Sequence, residues 1–374
     1  MTAKAPLKEQ AINPERIRRI AREVHAVAAG FDPAAFTAEV LQHIPRLELK
    51  DRIAATSRAL HHHLPVNGPP ALELLLRSLP PSPEAAGITS DFGTHLYSPH
   101  SDYVARYHRT EDLLEPALDA LRRLTGYFTA EVAVRHFLTD FPDRTMTAIG
   151  TWARDPDHRV RRLASESTRP TLPWAPRIPL PADAALPVLD QLHADPHPYV
   201  QRSVANHLHD LSDTDPDLVL ATLQRWKATG RAEDKALAFI AREALRTRLK
   251  KGWPAAYEFL GYPTDIPVRL SPVHLDHATL TDGDTLAFSA TLTTSTTVPL
   301  HITYVISTTT RRGTTREKIY FLTRTTAQPD QPLTLAKQHR LRSTASTTIT
   351  PGVYSVALQV NGRRHPSAEF EVVQ

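Results

Sequence analysis

Asp155-Pro156-Asp157-His158-Arg159-Val160-Arg161-Arg162-Leu163-Ala164 and Asp195-Pro196-His197-Pro198-Tyr199-Val200-Gln201-Arg202-Ser203-Val204 are two copies of one pattern, forty residues apart. Each opens on Asp-Pro, places Val four residues after the Pro, and follows it with Arg two residues on. Arg162, Arg202 and Arg242 keep the same spacing, as do Ala164, Val204 and Ala244. Asp before Pro is a helix-start signal, since Pro suits the first helical position and Asp accepts from orphan backbone N–H groups. A period of this length, built from helix pairs with a V-x-R start to the second helix, marks a HEAT-like α-solenoid. Glu166, Asn206 and Arg246, matched after each V-x-R, are expected on one polar, concave face.

The helical reading extends upstream. Asn13-Pro14 and Asp32-Pro33 repeat the start signal, and Asp215-Pro216 repeats it downstream. Apolar residues recur at three- and four-residue spacing in Ile17, Ile20, Val24, Val27 and in Leu113, Leu114, Leu118, Leu121, Leu124. Residues 78–100, rich in Pro, Gly and Ser, read as a long irregular connection. After Tyr262 the pattern changes. Pro263, Pro267 and Pro272 mark a linker, and beyond it runs such as Leu286–Leu292, His301–Ile306, Lys318–Leu322 and Tyr354–Val360 alternate apolar with polar residues. Asp282-Gly283-Asp284, Arg312-Gly313, Pro351-Gly352 and Asn361-Gly362 separate them as turns. About seven short strands of this kind predict an immunoglobulin-like β-sandwich. The expected organisation is a multidomain chain, α then β: a helical solenoid over 1–262, a Pro-rich linker over 263–272 and a sandwich over 273–374.

Composition narrows the class. The 374 residues contain no cysteine, which excludes disulfides and thiolate metal sites and suits a reducing cytoplasm. No apolar run approaches the ~20 residues needed to span a bilayer, so a soluble, cytoplasmic protein without a membrane partner is expected. The formal charge is +4, and from Ser271 onward ten Lys or Arg face seven Asp or Glu. Arginines bunch at Arg159, Arg161, Arg162 and Arg169, and basic residues again at Arg246, Arg248, Lys250 and Lys251. Such bunches read as a solvated face or as contacts to a phosphate backbone.

The stretch Val160 to Trp174 carries the chemistry. It holds Glu166, three arginines and Trp174 between Pro173 and Pro176. A carboxylate beside guanidiniums and an indole suits a cationic group bound on an anionic polymer. His61-His62-His63 point in three directions on a helix, and His193, His197, His207 and His209 lack a carboxylate at ligand spacing. No metal and no cofactor are expected.

With these pieces in place the chain resembles the AlkC-type DNA alkylation repair glycosylases that carry a C-terminal immunoglobulin-like domain. The likeness runs from about Asn13 to the end. It is carried by Glu131-Val132-Ala133-Val134-Arg135-His136-Phe137, by Val160 to Trp174, by Arg202-Ser203-Val204-Ala205-Asn206-His207-Leu208-His209-Asp210, and by Ala244-Leu245-Arg246 to Lys250-Lys251-Gly252. Lys318-Ile319-Tyr320-Phe321, Lys337-Gln338-His339 and Asn361-Gly362-Arg363 add to it in the last domain. The resemblance implies base-excision repair by a monomer: removal of N3-methyladenine, with N3-methylcytosine as a second substrate, from duplex DNA containing alkylated bases, without base flipping. It implies Glu131, Glu166 and Asp210 as catalytic carboxylates and Trp174 and Arg162 as substrate contacts. Arg161, Arg169, Arg202, Asn206, Arg246, Lys250, Arg340 and Arg342 are the expected DNA contacts. The chain departs from the family pattern with Ser167 for Gly, Thr171 for Arg, Glu243 for His and Trp253 for Asp; losing that Arg and gaining that Glu weakens DNA contacts.

Each of these residues also has a bland reading. Glu166 reads as a helix-end Glu in an exposed pair with Arg162, Glu131 as a first-turn Glu after a Thr129 cap, and Asp210 as a cap for the next helix. Trp174 reads as a core aromatic under a loop, and Arg202 as a partner of Asp195 or Asp210. Arg311, Arg312, Arg340, Arg342, Arg363 and Arg364 lie at or near turns of the sandwich, where they fit a clamp on the duplex or a solubility and docking surface. A DNA- or protein-binding scaffold without catalysis is the alternative to the enzyme.

Overall fold

The computed structural model describes residues 5–88, 94–309, 314–344 and 348–374. The Arg312-Gly313 turn and Arg311 lie outside the described residues. The N-terminal helices are α1 (Leu7–Ala11), α2 (Pro14–His25), α3 (Pro33–His43), α4 (Leu49–His63) and α5 (Pro69–Ser78). They are followed by α6 (Ser98–Tyr107), α7 (Leu114–Leu124), α8 (Glu131–Asp140), α9 (Pro142–Trp152) and α10 (His158–Ser167). Then come α11 (Leu186–Leu192), α12 (Pro198–Ser212), α13 (Pro216–Thr229), α14 (Asp234–Ala244), α15 (Arg246–Lys250) and α16 (Pro254–Phe259). None of the described helices is long and apolar enough to cross a membrane. The start signals at Asn13 and Asp32 act as read, Asn13 Oδ1 accepting from Arg16 N at 3.0 Å and Asp32 Oδ1 from Ala34 N at 2.8 Å. Asp155-Pro156 and Asp195-Pro196 instead form the turns ahead of their helices: α10 opens at His158 with Asp157 as its cap, and α12 opens at Pro198. Apolar stripes such as Ile17, Ile20, Val24 and Leu114, Leu118, Leu121, Leu124 are buried.

The repeat survives down to single hydrogen bonds. Asp155 Oδ1 accepts from Asp157 N at 2.9 Å, and Asp195 Oδ1 accepts from His197 N at 2.9 Å. Arg161 and Gln201, at equivalent positions, both donate at 2.9 Å to the carbonyl of their own turn's Asp. An arginine from the preceding helices then grips each Asp carboxylate: Arg122 reaches Asp155 at 3.0 Å, and Arg161 reaches Asp195 at 2.5 Å. The third copy breaks register. Arg162 and Arg202 fall in the first half of α10 and α12, whereas Arg242 lies near the end of α14 and Arg246 opens α15.

Packing divides the chain into a unit reaching Leu211 with Thr229–Ile240 and a second comprising Ser212–Ala228 and Ala241–Gln374. The second unit therefore includes α15, α16 and the sandwich. One sheet orders β1 (Val268–Leu270), β4 (Thr285–Thr294) and β2 (His274–Leu275), with β7 (Leu333–Arg340) also on β4. The other orders β3 (Thr279–Leu280), β10 (Ala368–Val372), β8 (Gly352–Val360), β5 (Val298–Thr309) and β6 (Thr315–Ala327), with β9 (Arg363–Arg364) on β8. The two-residue period supplies the core, with Leu286, Phe288, Ala290 and Leu292 from β4 buried against residues such as Leu358 and Val360.

The stretch 263–272 is not a free linker. Val268–Leu270 pair antiparallel with Leu292–Thr294, and Pro263 O accepts from Asn361 Nδ2 at 2.8 Å. Its prolines precede and follow the short strand, so they leave the ladder donors of Val268–Leu270 in place.

Candidate active site

All three proposed carboxylates fall into one chain of ion pairs within the first unit. Glu131 opens α8, and Glu166 and Asp210 lie in the last turns of α10 and α12. Arg162, one turn before Glu166, lies 3.0 Å from Glu131 Oε2 and 3.4 Å from Glu166 Oε1. Arg169, just past α10, lies 2.7 Å from Glu166 Oε1 and grips Asp210 with Nε and Nη2 at 2.9 and 3.1 Å. The order is Glu131–Arg162–Glu166–Arg169–Asp210, three carboxyls alternating with two guanidiniums, and the buried Arg135 guanidinium interacts electrostatically with all three carboxyls as well. These side chains are buried, from 7% exposed at Glu166 to 13% at Arg162. The pair of Arg162 with Glu166 is therefore not the weak exposed pair of the bland reading. In low dielectric such pairs hold fixed geometry and strong fields.

Smaller groups position the carboxylates. Ser203 Oγ donates to Glu166 Oε2 at 2.6 Å and lies 3.0 Å from Ser165 Oγ. His207 Nδ1 donates to Ser165 O at 3.1 Å. Burial lowers the His207 pKa to about 4, which keeps the ring neutral. Arg162 also bonds Thr129 Oγ1 and lies 5.0 Å from the Tyr199 ring centre. Beside it opens a cleft of about 650 Å³ whose walls include Tyr127, Phe128, Thr129, Arg162 and Tyr199.

The three carboxyls are tuned apart. Burial raises Glu131 and outweighs Arg162 beside it. Burial likewise raises Asp210 despite Arg169. Burial pushes Glu166 up too, but Arg162, Arg169 and the Ser203 hydroxyl together prevail and hold it below the usual carboxylate range. Of the three, Glu166 is the one whose ionised form its surroundings favour.

The arginines expected on phosphate divide into two groups. Arg161 directs its fork at Asp195 and Nη1 at two turn carbonyls. Arg169 has its bidentate face on Asp210, and Arg162 bridges two glutamates. These three have their guanidinium forks committed to carboxylates within the protein. Arg202 is exposed and lies 5.4 Å from the Phe239 ring, so it pairs with neither Asp195 nor Asp210 in the way its spacing suggested. In the second unit Lys250, Arg340 and Arg342 are exposed, while Arg246 is half-buried and donates to Glu243 O at 2.8 Å. Asn206, in the first unit, is half-buried.

Three further expectations change. Trp174 is not a core aromatic under a loop: it is 83% exposed, with φ +67° and its carbonyl held by Lys50 Nζ at 2.6 Å. Thr129 is not a helix cap, since α8 has Ala130 there without a side-chain bond. Asp210 lies within α12 and faces Arg169 rather than capping α13.

Arg135 was missed. Fully buried, it donates to Pro176 O at 2.7 Å, Ser167 O at 3.0 Å and Arg169 O at 2.7 Å, so it pins the loop that carries Arg169. Its signal was an arginine amid the apolar Ala133, Val134 and Phe137. Ser203 had a signal too: it stands where the preceding repeat has Leu163.

Residues 102–247 match the family described as "DNA alkylation repair enzyme", and residues 269–374 match "Uncharacterised protein YhaZ, C-terminal Ig-like domain". The helical part thus matches a DNA alkylation repair family and the sandwich an immunoglobulin-like domain, which together define a class of DNA alkylation repair protein. The chain is 31% identical to Pseudomonas fluorescens alkylpurine DNA glycosylase AlkC, solved bound to DNA containing an abasic site analog, covering 99% of this chain and 100% of that one at a TM-score of 0.87. It is 29% identical over 372 residues to YhaZ of Bacillus subtilis (strain 168), covering 98% of this chain and 99% of the relative. The protein belongs to the AlkC-type family with a C-terminal immunoglobulin-like domain.

Proposed function

We propose that the protein is a DNA glycosylase that excises cationic N3-alkylated bases, N3-methyladenine first, from duplex DNA. The observation that carries this reading is the continuous Glu131–Arg162–Glu166–Arg169–Asp210 chain. Family membership sets it in context, since the Pseudomonas relative is an alkylpurine DNA glycosylase.

The chemistry rests on charge. An N3-alkylated adenine is positive and already a good leaving group, so the remaining barrier lies in the electron-poor sugar. Glu166, held ionised by Arg162, Arg169 and Ser203, supplies fixed negative charge to an oxocarbenium-like sugar. Glu131, whose raised pKa makes it the stronger proton acceptor when ionised, takes the proton from the attacking water. Discrimination against neutral bases comes from the fixed negative charge of Glu166, which favours a cationic base over a neutral one. The exposed Arg202, Lys250, Arg340 and Arg342 supply phosphate contacts.

The test is chromatography of bases released from N-methylated duplex DNA. The intact protein releases N3-methyladenine, and Glu166→Gln loses release while retaining DNA binding. Absence of release by intact protein at saturating DNA overturns the reading in favour of a scaffold.

A further inference from the structure

Three donors that take no part in the acid–arginine chain meet between α3 and the end of α4. His62 Nδ1 lies 2.8 Å and His63 Nε2 2.9 Å from the same oxygen, Glu39 Oε2. The three ligand atoms lie within 4.8 Å of one another. The expectation that His61-His62-His63 diverge holds for His61 alone, which stacks on Tyr107 at 3.8 Å. The other two converge because they use different atoms. His62 offers the near nitrogen and His63 the far one, so unequal reach offsets their unequal directions.

The surroundings favour a cation. All three histidines lie in the last turn of α4, where unpaired carbonyl dipoles leave negative charge. Asp32, at the start of α3, interacts electrostatically with His63. Arg58, exposed one turn before His62, is an opposing charge. The His63 ring sits edge-on to Phe31 and Phe36 at 6.4 and 6.1 Å, and its side chain is 16% exposed. His62 is 73% exposed. One ligand is thus held rigidly and the other faces solvent, which leaves an entry path.

We propose that Glu39, His62 and His63 bind a divalent ion of the zinc type, which ties α3 to α4 and keeps water in its fourth position. Two imidazole nitrogens and a carboxylate oxygen suit zinc at ligand distances of about 2.0–2.2 Å and mismatch the all-oxygen preference of magnesium and calcium. The Glu39 contacts open by roughly half an ångström to reach tetrahedral ligand separations. Each imidazole coordinates as the neutral ring. The proton on His62 Nδ1 passes to its Nε2 and that on His63 Nε2 to its Nδ1, so the ion replaces two N–H donors without ionising either ring. This site is independent of the glycosylase reading.

The experiment titrates metal-stripped, full-length protein with zinc chloride by calorimetry and repeats the titration with cobalt(II) as a visible-absorption reporter. One zinc binds per chain and raises the unfolding midpoint, and cobalt gives the absorption of a four-coordinate ion. His62→Ala, at an exposed position that the fold tolerates, abolishes binding, as does Glu39→Gln. His43→Ala, exposed one turn after Glu39 on α3, leaves it intact. No stoichiometric binding at micromolar free zinc, or binding unchanged in His62→Ala, overturns the proposal.

Discussion

At the scale of the residue, the ionisation of Glu166 is the quantity most open to measurement. Its depressed pKa is a balance in which burial opposes ionisation and Arg162, Arg169 and Ser203 favour it. Ser203→Ala removes a hydrogen bond to a charged group, worth about 1.5–3 kcal/mol. The Glu166 pKa is then expected to rise, moving the acid limb of the glycosylase pH profile toward neutrality. Release of N3-methyladenine from methylated duplex, measured across pH, checks this; an unmoved limb removes Ser203 from the role. Linkage has the matching sign. A carboxyl with depressed folded pKa stabilises the fold above its unfolded pKa and loses that contribution as pH falls through the folded value. Glu131 and Asp210, raised by burial, act oppositely: each favours the fold when protonated and loses that as pH rises through its raised pKa. Ser203→Ala therefore destabilises at neutral pH and progressively less in acid. The carboxylates themselves were legible from motif resemblance. Their ionisation was not, because it depends on burial and on Ser203, contributed by a different helix.

At the scale of the element, the forty-residue pattern announced helix pairs but not what joins one pair to the next. Asp155 and Asp195 look identical in sequence and make the same turn, yet their arginine partners come from earlier helices and differ in burial. Asp195 is 4% exposed with Arg161 at 17%, whereas Asp155 is 12% exposed with Arg122 at 36%. Removing one partner of a buried pair leaves the other uncompensated, at about 3–5 kcal/mol, while exposed pairs contribute about 1 kcal/mol or less. Asp195→Ala is thus expected to lower stability in urea titrations by about 3 kcal/mol or more, and Asp155→Ala by clearly less. Equal losses argue that the turn bond to the following N–H, common to both, is the whole effect. The same contrast explains why the Arg161 pair was not legible: in sequence, a ladder arginine and a phosphate-binding arginine look alike, and only the position of Asp195 shows the ladder bond. The sandwich was easier to read, since its two-residue period is set by burial within each strand. β1 escaped because its prolines imitate a linker.

At the scale of the molecule, the second unit is held where helix and sandwich meet backbone to backbone. Gln359 Nε2 donates to Lys250 O at 3.2 Å, and Asn361 joins Pro263 O, Pro299 O and His301 N. Gly252 and Gly362, with φ +76° and +86°, face each other across this contact. A Cβ on Gly252 would lie 2.4 Å from Gly362 O, and one on Gly362 would lie 2.9 Å from the Tyr257 ring. Sequence shows both glycines but not that they touch. A cut before β1 would uncover Tyr257, which is fully buried, so truncation tests this unit's folding before it tests DNA contact. Point substitution is cleaner. Gly261 provides the reference, because it shares a positive φ of +81° yet has nothing within 4 Å of an added Cβ. Gly261→Ala carries the backbone penalty alone, about 1–2 kcal/mol. Gly252→Ala adds a collision with a carbonyl that cannot move without disturbing the Asn361 turn, about 1–3 kcal/mol more. Its unfolding midpoint in denaturant should fall below that of Gly261→Ala, with hydrogen-exchange protection lost together in α15, α16 and β8. If the two variants unfold alike, the glycine contact does not hold helix and sandwich together, and the hydrogen bonds of Gln359 and Asn361 must do so alone.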